Sequence, residues 1–197
     1  MPVAARSLLL STLTLLLACA SPSERFADAL ASGDVEALKA ALAGGADVNE
    51  RIERLAPLCI ALDRRAGKAV IDLLLEAGAD PRGRCRGGGA TMSVAAAAGD
   101  VAAAQTLLEA GARLEATSHL GETPLFAASC RGHLDMVTFL LDAGHAHGRN
   151  QRTDARTPIG CANFRGHAEV SELLAERVEV EPDPIPAPGG GHEGHNH

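Results

Sequence analysis

Glycines followed by a small residue or histidine recur at Gly45-Ala46, Gly78-Ala79, Gly111-Ala112 and Gly144-His145, each 33 positions after the last. A fixed period of roughly 20–50 residues means that one supersecondary unit is used again and again, and that the units stack. Ahead of each glycine lies a leucine-rich stretch: Leu38 and Leu42, Leu73-Leu74-Leu75, Leu107-Leu108, Leu140-Leu141, and finally Leu173-Leu174. These stretches predict the apolar faces of short helices, each ended by a glycine able to take the left-handed conformation.

Upstream in each unit stands a second helix start, plainest in Thr123-Pro124-Leu125 and Thr157-Pro158-Ile159. Threonine caps the first free amides, and proline in the first turn lacks only an N–H that the helix does not use. Between the two helices come Gly33-Asp34, Gly99-Asp100, Gly132-His133 and Gly166-His167. Each unit reads as turn, helix, tight loop, helix. The run Gly121-Glu122-Thr123-Pro124-Leu125-Phe126-Ala127-Ala128, followed by Gly132-His133-Leu134-Asp135-Met136-Val137, Leu140-Leu141 and Gly144, resembles the ankyrin repeat family, with Phe126 where the family usually has histidine. The resemblance implies an all-α ankyrin-repeat solenoid with short hairpin-like turns, and protein recognition as its activity. Five units are expected, at about 23–49, 50–81, 82–114, 115–147 and 148–178.

Units two and three depart from the pattern. Unit two reads Ala56-Pro57-Leu58-Cys59, without the capping hydroxyl, and has one extra residue around Arg64 to Lys68; unit three reads Ala90-Thr91-Met92-Ser93 after three glycines. A missing cap is worth about 0.5–2 kcal/mol, so these units are expected to be the softer part of the stack. Unit one, polar and without a Thr-Pro start, reads as a terminal cap.

The first eighteen residues read as a secretory signal: Arg6, an apolar run from Leu8 to Leu17, then Ala18-Cys19-Ala20. A ten-residue run falls short of the roughly 20 helical residues that cross a bilayer. Leu16-Leu17-Ala18-Cys19 resembles the lipobox of bacterial lipoproteins, which implies that Cys19 is diacylated and that the domain sits in the bacterial envelope, facing the periplasm. The same residues satisfy the small-x-small rule, which would release a soluble chain starting at Ser21. Beyond residue 178 the run of Pro182, Pro184, Pro186 and Pro188, then Gly189 to His197, predicts a disordered tail.

Export places the remaining cysteines, Cys59, Cys85, Cys130 and Cys161, in a disulfide-permissive compartment. In a stack each unit touches only its neighbours, so Cys59–Cys85 with Cys130–Cys161 is the pairing that skips no unit. Helix layers about 8–10 Å apart make even these bonds marginal against a limit of roughly 7 Å between Cα atoms. Buried free thiols are the alternative.

Composition narrows the function. No Trp, no Tyr, four Phe and a net charge of −7 argue against stacking on nucleic-acid bases or gripping a phosphate backbone. Gly87-Gly88-Gly89 lacks the following Lys and Ser or Thr of a phosphate loop and reads as a turn. The serines follow no nucleophile-elbow pattern, and an open stack offers no pocket for a triad, so no enzymatic activity is expected. His133 and His167 occupy the inter-helix loop where the resemblance places a structural histidine. His119, His145 and His147 flank the turns of unit four. His192, His195 and His197 crowd the tail beside Glu193, a spacing that would bind Ni, Cu or Zn weakly and supports an alternative reading as a metal-binding accessory protein.

The remaining candidate is a docking surface. Ankyrin families use the turn tips and the exposed side of each first helix, and here that region carries Arg51, Arg54, Arg64, Arg65, Lys68, Arg82, Arg84 and Arg86. Between 51 and 86 there are eight basic against five acidic residues, a local +3 in a chain of −7. This asymmetry points to an acidic protein partner, with Phe126 and Phe164 on first helices as apolar anchors. The protein is expected to be a monomer.

Overall fold

Half of the described helices begin at a residue whose side chain caps them. In the computed structural model, which describes residues 21–118, 121–144 and 157–177, Ser21 opens the first helix with a reciprocal capping box: Glu24 N–H donates to Ser21 Oγ, and Ser21 N–H donates to the Glu24 carboxylate at 2.8 Å. Unit one thus has a Ser-Pro start, more fully capped than its lack of Thr-Pro suggests. Asp34, Asp100, Thr123 and Thr157 each accept from amides of the helix they precede.

The described residues form five antiparallel pairs of helices: α1 (Pro22–Ser32) with α2 (Val35–Ala43), α3 (Pro57–Asp63) with α4 (Lys68–Glu76), α5 (Thr91–Ala98) with α6 (Val101–Glu109), α7 (Pro124–Ser129) with α8 (Leu134–Asp142), and α9 (Pro158–Arg165) with α10 (Ala168–Arg177). First helices pack on first helices of the next unit, and second on second, so two layers run the length of the stack. The second layer is stitched by Leu38, Leu74, Leu107, Leu140 and Leu174, all at most 1% exposed. The first layer carries Ala29, Ala61, Ala95, Ala128 and Ala162 at equivalent places, all buried. A methyl group there leaves neighbouring helices room to approach closely.

Contacts across units explain residues that periodicity alone leaves neutral. His133 and His167 lie against the loop glycine of the preceding unit, so a Cβ on Gly99 or Gly132 would stand 2.7 Å or 2.5 Å from an imidazole Nδ1. Both glycines also hold positive φ, +71° and +73°, so side chains are disfavoured there twice over. His133 Nε2 lies 3.1 Å from Ala97 O, and His167 Nε2 lies 3.3 Å from Cys130 O. Because a carbonyl only accepts, Nε2 carries the proton in each. These carbonyls end first helices, where no intrahelical amide remains to bond them. Asn49 performs a similar task at the turns, donating to Gly78 O at 2.9 Å and accepting from Asp80 N–H at 3.1 Å.

The turns before the first helices are hairpin-like. Ile52 and Leu55 exchange backbone bonds of 3.0 and 2.9 Å around Glu53-Arg54. Arg84 pairs with Ala90 around a larger loop that contains a 3-10 turn at Arg86–Gly88. The helices expected to lack caps do lack them: neither Ala56 nor Ala90 makes a side-chain cap bond, and the Thr91 hydroxyl donates to Pro81 O instead.

A disulfide spans these two uncapped starts. Cys59, in α3, is bonded to Cys85, in the turn before α5, and Cys130 is bonded to Cys161 between the first helices of units four and five; Cα atoms are 5.1 Å apart in each pair. The structure therefore has bonded cysteines rather than free thiols, with geometry less marginal than a layer spacing suggests. Interaxial distance overstates the gap: Cα atoms lie about 2.3 Å off the helix axis, so facing ones approach well inside 7 Å. Cys85, on a turn, is not bound by helix spacing at all.

Candidate docking groove

The first helices and turns of units two to five line a groove of about 970 Å³. Val94, Ala97, Phe126 and Ala127 contribute its apolar part, all half-buried. Around them stand Arg65, Arg86, Arg131 and Arg165 against two carboxylates, Asp63 and Glu122. The groove is basic within an acidic chain. Its wall also includes the Cys130–Cys161 bond, which pins units four and five together beside Arg131 and Arg165.

The structure divides the basic stretch that the sequence presents as one surface. Arg64 donates to Ala31 O at 3.3 Å, Arg82 to Gly111 O at 3.0 Å, and Arg84 to Gly88 O at 2.9 Å and Thr117 O at 3.3 Å. Arg64 thereby ties unit two to unit one and Arg84 ties unit three to unit four, while Arg82 joins the two ends of unit three, all satisfying carbonyls at turns and helix ends. Lys68 pairs with Asp72 at 2.6 Å, one helical turn away. Arg65 and Arg86 line the groove, while Arg51 and Arg54 are exposed on the hairpin before α3, outside the groove lining. Among the described residues the side chains of these four make no hydrogen bond or ion pair. A count of cations cannot separate them from the three tied to carbonyls, because each of those ties except Arg84 to Gly88 joins residues 29 to 33 apart.

Phe126 lines the groove, half-buried, whereas Phe164 is 79% exposed at the end of α9 and lies outside its lining. Arg131 and Arg165 are groove residues that the sequence reading passed over. Each stands seven residues after the proline of a first helix, Arg165 as the last residue of α9 and Arg131 in the turn just past α7, and each precedes Gly-His, so that the sequence carries a repeated Arg-Gly-His signal. Arg131 is partly committed, donating to Ala97 O at 3.1 Å beside His133. Cys19, His119, His145, His147, His192, His195 and His197 lie outside the described residues. Among the described residues, no three His, Cys, Asp or Glu side chains come together as a metal site, and no helix is long and apolar enough to cross a membrane.

A family model described as ankyrin repeats (3 copies) matches residues 92–184. No curated protein matches the chain. The five stacked helix pairs, the 33-residue register and the histidine latches between units agree with that match: the described chain is an ankyrin-repeat solenoid, and ankyrin repeats are generally protein–protein interaction modules and typically carry no enzymatic activity.

Proposed function

We propose that this protein is a docking module of the bacterial envelope, which holds a segment of a partner protein in the groove of units two to five. The observation that carries the reading is the groove itself: an open apolar strip flanked by four arginines and two carboxylates, on a scaffold whose units are cross-linked. Arginine and aromatic side chains supply much of the binding energy at protein interfaces, and a rigid receptor loses little entropy on binding.

Ala127 is half-buried in the groove wall, so Ala127→Trp fills the groove without entering the core. The variant is expected to melt with the parent yet lose at least about tenfold in affinity for a partner captured from envelope extract, the scale of a lost interface anchor. Equal capture by parent and variant would place docking elsewhere.

The envelope address rests on the first nineteen residues. Mass measurement of the processed protein is expected to find Cys19 as the first residue, carrying the added mass of its acyl chains. A mature chain beginning at Ser21 would instead make the module a soluble exported protein.

A further inference from the structure

Among the described residues, three that are not glycine hold positive φ: Glu53 (50°), Arg54 (72°) and Arg65 (52°). All three belong to unit two. Glu53 and Arg54 form the two-residue tip between Ile52 and Leu55, a position pair where such hairpins ordinarily place Asn-Gly. Arg65 stands eight residues after Pro57, and the residues eight after Pro124 and Pro158 are Gly132 and Gly166, with φ of +73° and +79°. The backbone calls for glycine at this loop in every such unit, and unit two alone answers with arginine. Left-handed backbone is unfavourable for a residue with a Cβ, and residues kept in that state despite the cost gather at functional positions.

Two of these three are arginines, Arg65 on the groove wall and Arg54 on the exposed hairpin tip before α3. Arg54 and Arg65 are exposed and have no partner among the described residues, in contrast to Arg64, Arg82 and Arg84. Arg86, equally unpaired, adds a third cation on the groove wall. Helix α3, seven residues long, accounts for about 10 Å of the separation between the tip and Arg65, and Leu55, Ala56 and Arg64 add to it, a span that a short extended segment covers.

We propose that units two and three form the grip of the module, and that they take an extended acidic segment of the partner protein, with carboxylates on Arg54 and Arg65 of unit two and on Arg86 of unit three. This deepens the docking reading and rests on it. The strained backbone is the stability given up to keep guanidinium groups where glycine would fold better.

The test uses the full exported domain and a fluorescein-labelled twelve-residue peptide of alternating glutamate and serine, with a glutamine peptide as control, read by anisotropy at low salt. The parent is expected to bind the glutamate peptide and ignore the control. The double variant Arg54→Gly/Arg65→Gly is expected to melt about 3 °C higher, since relief of left-handed strain outweighs the entropy of the added glycines, and to bind the peptide about tenfold more weakly. Arg65→Asn, which tolerates the same backbone, should weaken binding in the same direction.

Variants that melt higher and bind as tightly as the parent would overturn the grip, as would a parent that ignores the glutamate peptide. Binding to phosphatidylglycerol vesicles that the peptide fails to displace would also overturn it, in favour of a membrane surface. If Ala127→Trp still abolishes partner capture in any of those cases, the groove reading survives and only the grip falls.

Discussion

Replacing Cys130 and Cys161 with alanine is expected to lower the melting temperature by about 10 °C. The bond closes a loop of 31 residues, and in the chain-entropy account that is worth about 3–4 kcal/mol. Position magnifies the effect. Unit five is the last helix pair of the described stack and has a neighbour on one side only, so its packing against unit four, the bond from His167 to Cys130 O, the Arg177–Asp142 ion pair and this disulfide carry its attachment. In a one-dimensional stack the end unit frays first once its interface weakens. Hydrogen exchange should therefore show α9 and α10 opening well before α5 and α6 in the variant, and together with them in the parent. A variant whose melting point falls by less than about 2 °C would show that side-chain packing alone holds unit five.

Leu107→Ala is expected to cost about 3–4 kcal/mol and to break the cooperativity of unfolding. Leu107 is fully buried in α6, the second helix of the central unit, which packs against both α4 and α8. A cavity there weakens two interfaces at once, whereas the same change at Leu174, in α10, weakens one. Urea titration should resolve a single transition in the parent and two in Leu107→Ala, one for each side of the damaged unit. Leu174→Ala should shift the midpoint less and keep one main transition. Equal losses at the two sites, with single transitions in both, would mean that the stack behaves as one cooperative body.

These expectations return to residues that the sequence marks plainly. The leucines of the second layer repeat at almost constant intervals, and the glycines that end their helices keep a register of 33, so helix number, order and pairing are legible before any coordinate is known. The helix starts are equally local: a Thr or Ser side chain reaches an amide two or three residues ahead, and its absence at Ala56 and Ala90 is visible in the sequence and realised in the structure. Even the cysteine pairing follows once each unit is known to touch only its neighbours.

The docking face is another matter. Eight cations between residues 51 and 86 look alike in the sequence, yet Arg64, Arg82 and Arg84 spend side-chain donors on backbone carbonyls while, among the described residues, Arg54, Arg65 and Arg86 do not. Those carbonyls lie about one repeat away along the chain and come within reach only when units stack. The groove likewise gathers Arg65, Arg131 and Arg165 from three units, and leaves Phe164 outside although it sits on a first helix like Phe126.

By itself, then, the chain of letters determined the helices, their caps and the direction of stacking, since those depend on contacts within a turn or two and on a repeated apolar face. Only the tertiary structure decided which arginines are tied to backbone carbonyls and which keep side chains without such a tie among the described residues. The reason is physical: a guanidinium is committed by a carbonyl about one repeat away, and that carbonyl is close in space and distant in sequence.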